Sequence, residues 1–466
     1  MRRRRIDGAP ADRLVVVAIL LALAVALGLS VAAWTTSLGL YADGALFSFC
    51  IGIDESWTRV WHIMPARIAV YLLEIRPAEL AREAGLPAIA AMRLYQALFL
   101  GVPFIGLVSC LAVLPRPLRW QLLFPAVSIL ALSVSALGYP TETLLTLAGF
   151  WPALFGHRHA SGNWGAALLT VFWTSVFLFS HPGMILALPL LPLAAALRLR
   201  ESAEPPARRV LAVLGAVEAA LLVLWAWRFG IERQDPGIIQ SSQRMWSVSG
   251  LEDVVRLQPA ILVVCLSIAL FAALGWRRSG AGRWSAAAIA PAIAAGFALS
   301  YRETVTPESH YYIRTALIAL LPVLGAVTLA HRRGAPQGVA ALALVIALTV
   351  TQTTHNLHFL GAWLDYRDSV AAEIGSAPPR IVPLSRVLAD RAEPAAPSIA
   401  WSWGQPYLSV TLPGLPSYRA IVADPAPTSY SPFHCSEMDD IAARADWLPP
   451  ETRTLLTDYV CARRPG

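Results

Sequence analysis

The chain has 466 residues, 56% of them hydrophobic and 14% charged, with a formal net charge of +7. Soluble domains carry about 25% charged residues, and the uncharged runs here reach about 17 to 20 residues, the length that crosses a bilayer. A string of soluble domains is therefore excluded for most of the chain. All 37 basic residues are arginine. They sit in short loops between apolar runs, which reads as a membrane-orientation signal and not as a nucleic-acid footprint.

Residues 1–13 form a basic N-terminus with Arg2, Arg3, Arg4, Arg5 and Arg13. Leu14–Ala33 is apolar and longer than the core of a signal peptide, and no soluble domain follows it directly. It reads as an uncleaved first span with a cytoplasmic N-terminus. Further apolar runs lie at about 86–113, 120–138, 144–156, 164–181, 183–197, 210–228, 258–276, 285–301, 314–331 and 338–355. The predicted fold is an all-α polytopic membrane protein with about eleven transmembrane helices. The runs 144–156 and 183–197 are short for a crossing; each is either a tilted half-helix or part of a re-entrant pair.

Loop charges set the parity. Every second loop is basic: Arg116 and Arg119; His157, Arg158 and His159; Arg198, Arg200, Arg208 and Arg209; Arg277, Arg278 and Arg283; Arg332 and Arg333. By the positive-inside rule these are cytoplasmic. The expectation is a multi-pass protein of the cytoplasmic (inner) membrane, with a transmembrane domain over 14–355. Its outer loops are 37–85, 229–257 and 302–313. Residues 356–466 then form a small extracytoplasmic C-terminal domain, α+β or irregular, with strand-like runs at Arg380–Pro383 and Tyr407–Leu412. Cys435 and Cys461 fall on that oxidising side, where a disulfide between them is permitted; two unpaired thiols are the alternative. No CxxC pair, zinc spacing or phosphate-binding glycine loop is present, which disfavours a nucleotide-driven enzyme or pump.

Ionisable residues at the rim of a span are costly and tend to be functional. The densest set follows the first span: Asp43 with Gly44 as a turn residue, then Asp54, Glu55, Trp57, Arg59, Trp61, His62 and Arg67. Asp43, Asp54 and Glu55 can supply a general base or hold a divalent cation through oxygen ligands; equally they are acids of a solvated loop. Trp57 and Trp61, four apart, suit one face of an interfacial helix. Glu142, between Thr141 and Thr143, faces water, a partner or a cavity, or it serves the first turn of a helix. His181, before Pro182-Gly183, can donate to a phosphate or sugar hydroxyl, or it completes a turn. Arg302, Glu303, Glu308, His310, Tyr311, Tyr312 and Arg314 crowd one short outer loop. Arg302 and Arg314 break the positive-inside pattern there, and guanidinium forks suit a phosphate headgroup. The loop 229–257 adds Glu232, Asp235, Arg244 and Trp246, and Gly156-His157-Arg158-His159 reads as an inner-face anchor.

This arrangement resembles the integral-membrane glycosyltransferases of the C-type fold, a class that includes protein mannosyltransferases and lipid A aminoarabinose transferases. The residues that carry the resemblance are Tyr41-Ala42-Asp43-Gly44 and Asp54-Glu55 after the first span, and the Tyr139-Pro140-Thr141-Glu142 segment at a span end. The resemblance implies a polyprenyl-phosphate sugar donor, an acceptor that is a glycan, lipid or protein, and no nucleotide. It also implies that Asp43 acts as base or metal ligand, with Asp54 as the alternative. Arg302, Arg314 and Arg67 would hold the donor phosphate. The competing expectations are a transporter or flippase for a lipid-linked substrate, and a non-catalytic envelope assembly subunit.

Overall fold

In the computed structural model the described residues are 10–132, 142–201, 204–231, 247–257, 259–274, parts of 289–299, 321–330, 338–376, 378, 380–389, 404–412, 420–423 and 433–462. Helix α1 (Pro10–Thr35) shows what kind of solvent surrounds the bundle. It is apolar on every side, yet only Val15, Ile19, Ala22, Ala26, Ser30 and Ala33 are buried, a stripe at helical spacing. Leu14, Val17, Leu20, Leu21, Val25, Leu27 and Val31 stay 40–63% exposed. Such a continuous apolar face is compatible with lipid and not with water. The stripe is rich in small residues, which let neighbouring backbones approach where no hydrophobic effect drives helices together. Among the described residues four helices are long and apolar enough to cross a membrane: α1, α4 (Ala88–Val113), α9 (Pro205–Ile231) and α11 (Gly338–Ser376). The chain is a helical membrane protein.

Between α1 and α4 lie α2 (Asp43–Gly52) and α3 (Arg76–Glu83). After α4 come α5 (Leu123–Leu132), α6 (Glu142–Arg158), α7 (Trp164–Leu178), α8 (Leu190–Glu201), α9 and α10 (Pro259–Leu274). Helix α6 is the centre of the bundle, packed by α4, α5, α7 and α8, and residues 142–157 are all buried. It is apolar all round because it is enclosed all round. Close approach has a specific cause: a Cβ on Gly106 of α4 would lie 2.4 Å from the Ala148 carbonyl oxygen. Trp151 Nε1–H donates to Ser128 Oγ at 2.6 Å, and that hydroxyl donates to the Pro125 carbonyl at 2.8 Å, so the polar end of a buried indole is satisfied.

The helices meet by alternate ends. At one end Arg198 Nε–H donates to the Ala160 carbonyl at 2.8 Å, Arg158 pairs with Glu201 at 2.8 Å, and His159 Nε2 meets Gln121 Oε1 at 3.2 Å. At the other, Arg67 meets Glu142 and the Ala69 N–H donates to the Phe179 carbonyl at 3.0 Å. The apolar run 183–197 is not one helix: a 3-10 turn over Pro182–Leu186 precedes α8. Pro189 and Pro192 lack backbone donors and are tolerated only before and within the first turn.

Helix α11 has 39 residues, about 58 Å of rise against about 30 Å of hydrocarbon. The boundary placed at 356 therefore falls inside a continuous helix. Its charged half, from Asp365 onward, lowers the hydropathy without breaking the helix. That half clasps the end of α1: Trp363 Nε1–H and Arg367 Nη1–H both donate to the Thr36 carbonyl at 3.1 Å, supplying partners for an exposed helix end.

The C-terminal cap follows, with β1 (Arg380–Pro383), α12 (Gln405–Thr411), β2 (Ala420–Ala423), α13 (Met438–Arg444) and α14 (Pro450–Cys461). β1 and β2 pair in parallel, Arg380 beside Ala420 through Pro383 beside Ala423. The run Tyr407–Leu412, expected as a strand, lies in α12 through Thr411, with Leu412 as its C-cap. Pro406 opens its first turn, and Ser409 and Thr411 return their hydroxyls to the carbonyls of Gln405 and Tyr407. Short apolar runs are ambiguous in periodicity.

The cap rests on α2. Phe49 packs against Tyr407, Phe433 and Trp447 with ring centroids 5.4–6.3 Å apart. Cys435 and Cys461 are joined by a disulfide that closes a 26-residue separation. Replacing both by serine is expected to cost the cap about 3 kcal/mol, read as faster limited proteolysis of 404–462. Proteolysis at the wild-type rate would contradict this.

Candidate functional site

The first span delivers the chain into a tight turn, Tyr41-Ala42-Asp43-Gly44, closed by the Gly44 N–H donating to the Tyr41 carbonyl at 3.0 Å. Ala42 sits at φ 51°, ψ −120°, the first central position of a type II′ turn, where glycine is normal. Gly44 was the expected source of unusual backbone freedom; the positive φ falls one residue before the acid instead. Strain of about 1–3 kcal/mol is held here by the surroundings. Tyr41 is wedged edge-on against Phe359 and Trp363 of α11, and Gly404 of the cap leaves only 3.0 Å between a built Cβ and the Ala42 carbonyl. A crevice of about 190 Å³, counting space open to solvent, lies beside the turn between α11 and α12. Asp43 is half-buried and is the first residue of α2, where the helix dipole favours a carboxylate.

Four further side chains share the electrostatic neighbourhood of Asp43: Glu142, Glu74 and Tyr95, with Arg67 joined through Glu142. Arg67 Nη1–H donates to Glu142 Oε1 at 3.1 Å, each side chain 10% exposed. Glu142 opens α6 from the bundle side. Glu74 lies in a π turn over Tyr71–Ile75, a local widening common at functional positions. It is fully buried, and neither carboxyl oxygen has a hydrogen-bond partner among the described residues. Glu79, eight residues from Tyr71 and also buried, shows the contrast: it accepts from the Ser56 N–H at 3.0 Å, Tyr71 Oη at 2.9 Å and Arg76 at 3.4 Å. The hydroxyl of Tyr95 on α4 is buried and without a partner among the described residues, and Glu74, Asp43 and Glu142 all act on it electrostatically. Five elements thus bring three acids, one arginine and one phenol together: α2, the 3-10 turn Pro65–Arg67, the π turn, α4 and α6.

Burial, and then the neighbouring Glu142 charge, hold the Glu74 carboxyl well above the usual carboxylate range. An acid whose folded-state affinity for protons is raised stabilises the fold fully below the ordinary carboxylate midpoint. That contribution is lost as pH rises from there through the raised value. Glu74→Gln is therefore expected to match wild type in acid and to exceed it near neutral pH in thermal-unfolding midpoint. Parallel pH profiles for the two proteins would contradict this.

Asp54 and Glu55 do not join this group. The ten-residue helix α2, about 15 Å long, separates them from Asp43. Asp54 is exposed at φ 55°, a backbone region that aspartate tolerates in turns. Glu55 is buried and pairs with Arg59 and with Arg444 at 3.2 Å, while Arg59 reaches Glu437 at 2.8 Å. Glu55 is therefore a clamp between α2 and the cap. Asp43 and Asp54 cannot share one metal ion, and among the described residues no three His, Cys, Asp or Glu side chains converge on a cation position. Trp61 is fully buried against Phe47 and Trp57 packs on Tyr71, so they form core contacts and not a lipid-facing belt.

His181 is buried, and its Nδ1 accepts from the Gly183 N–H at 3.1 Å, which locks the Pro182-Gly183 turn. Arg302, His310 and Arg314, and the Tyr139–Thr141 segment, lie outside the described residues, as do Glu232, Asp235, Arg244 and Trp246 of the loop 229–257. His157, expected as part of an inner-face anchor, is buried, with Nε2 2.5 Å from Glu218 Oε1 and Nδ1 2.7 Å from the Ala153 carbonyl oxygen. Sequence reasoning missed Glu74, Tyr95 and Glu218. The available signal was a lone acid inside an apolar stretch: Tyr71-Leu-Leu-Glu74-Ile75 in one case, the middle of α9 in the other. No family model, curated protein or solved structure matches this chain.

Proposed function

We propose that the chain is a membrane glycosyltransferase that moves a sugar from a polyprenyl-phosphate donor to an acceptor hydroxyl at the cap face of the bundle. The orientation drawn from the arginine loops makes that the extracytoplasmic face of the cytoplasmic membrane. The observation that carries the reading is the position of Asp43: half-buried at the head of α2, directly after the first span, with Arg67, Glu142 and Glu74 in the same field. In this mechanism the Asp43 carboxylate takes the proton of the acceptor hydroxyl as that oxygen attacks the anomeric carbon. The anomeric carbon–phosphate oxygen bond breaks, and the polyprenyl phosphate leaves with the electron pair. Arg67, with Arg302 and Arg314 as further candidates, offsets the phosphate charge. One displacement inverts the anomeric centre. The donor already carries an activated sugar, so no nucleotide loop is needed.

The test is transfer in membranes carrying the chain, with donor labelled in the sugar. The expected result is label leaving the lipid phosphate for acceptor, with product of opposite anomeric configuration. Label that stays on the lipid, or product of retained configuration, contradicts the proposal. The transporter reading has one observation on its side. Glu218, in the middle of a candidate span, pairs with buried His157, and ionisable groups at depth mark transport paths. It predicts intact lipid-linked sugar crossing the bilayer with no bond broken.

A further inference from the structure

We propose that the cleft at the basic end of the bundle, between the ends of α4 and α6 and the starts of α7 and α9, binds the headgroup of an anionic phospholipid. It is remote from Asp43 and does not depend on the glycosyltransferase reading. The cleft holds about 400 Å³, counting space open to solvent. Its polar wall is His159, Ser161, Asn163 and Thr170, and its level is set by Val113, the last residue of α4, and Val210, in the second turn of α9. Both helices are long and apolar enough to span a membrane, so the cleft lies where hydrocarbon gives way to headgroups.

The surrounding charge is positive. Arg158 ends α6, Arg198 and Arg200 lie in the last turn of α8, and Arg208 and Arg209 stand in the first two turns of α9, with Glu201 and Glu204 as the opposing acids. Arg198 is fixed at the rim by its bond to the Ala160 carbonyl. A built Cβ on Gly162 would touch Pro206 at 2.6 Å, which places the first turn of α9 beside the cleft loop. Burial, then Arg158 and Arg198, pull the His159 pKa down to about 4. His159 is thus a neutral lining group, and the positive field belongs to arginine. Basic pockets between spans recognise anionic headgroups in this way.

The flank of the cleft is apolar and argues for a lipid over a soluble anion. Trp164, Leu168 and Phe172 of α7, at four-residue spacing, are 54%, 69% and 45% exposed. They form one stripe running from the cleft rim along the bundle surface. A headgroup in the cleft leaves its acyl chains on that stripe, with Trp164 at the interface.

The experiment titrates the full-length protein in neutral detergent micelles with phosphatidylglycerol, phosphatidylcholine or inorganic phosphate, with binding read by native mass spectrometry. Phosphatidylglycerol is expected to bind about tenfold tighter than phosphatidylcholine. The exposed pair Arg200→Gln/Arg209→Gln is expected to remove that preference, and Ser161→Trp, which fills the cleft from an exposed loop, to weaken binding independently of charge. Thermal unfolding at the wild-type midpoint establishes that both variants fold. Equal binding of the two lipids, an unchanged preference in folded Arg200→Gln/Arg209→Gln, undiminished binding in folded Ser161→Trp, or displacement of phosphatidylglycerol by inorganic phosphate would each overturn the proposal.

Discussion

Asp43→Asn is expected to lower sugar transfer by about 10² to 10⁴, the usual worth of a positioned general base, while leaving protein level and unfolding midpoint near wild type. Asparagine keeps the shape of the side chain and its place at the head of α2, and it cannot take the acceptor proton. Asp54→Asn is the control for the alternative base. Asp54 is exposed and lies beyond the far end of α2, so its replacement is expected to leave the rate near wild type. Glu55→Gln is expected to act differently again, by loosening the Arg59 and Arg444 pairs that hold the cap. Its signature is a protease-sensitive cap and not a changed pH profile. A transfer rate that survives Asp43→Asn and falls with Asp54→Asn would reverse the assignment.

The second large effect is structural. Arg67→Met leaves Glu142 buried at the head of α6 without its arginine. Breaking a buried pair from one side costs about 3–5 kcal/mol, because the remaining charge loses its opposite charge where little water can replace it. Arg67→Met is expected to be strongly destabilised in detergent, and Arg67→Met/Glu142→Leu to recover most of the loss. That recovery separates removal of a pair from exposure of a lone charge. A single variant as stable as wild type, or a double variant no better than the single, would show that the pair contributes little.

A shared helix end was legible in the arginines because guanidinium groups resist burial in hydrocarbon, and among the described residues the basic segments 116–122, 157–160 and 198–201 do meet at one end of the bundle. The junction of bundle and cap was not legible. Asp365, Arg367, Asp368 and Glu373 lower the hydropathy after 356, but nothing in that stretch stops a helix, and α11 runs on to Ser376. The candidate site was legible in half. Asp43, Arg67 and Glu142 stood out as charges at span rims, and Arg67 and Glu142 are indeed in contact across 75 positions of sequence. Glu74 and Tyr95 did not stand out, since only tertiary packing leaves a loop acid and a span tyrosine buried without hydrogen-bond partners among the described residues. Asp54 and Glu55 looked like neighbours of Asp43 because they are close in sequence; a rigid helix between them makes them distant in space.

The most direct measurement uses purified protein in vesicles whose labelled polyprenyl-phosphate sugar is confined to one leaflet. It follows two quantities together: label released from lipid phosphate, and intact lipid reaching the opposite leaflet. Release to an acceptor on the cap side is expected, abolished by Asp43→Asn, with no protein-dependent crossing of intact lipid. Intact lipid crossing the bilayer without release, at a rate indifferent to Asp43, would contradict it.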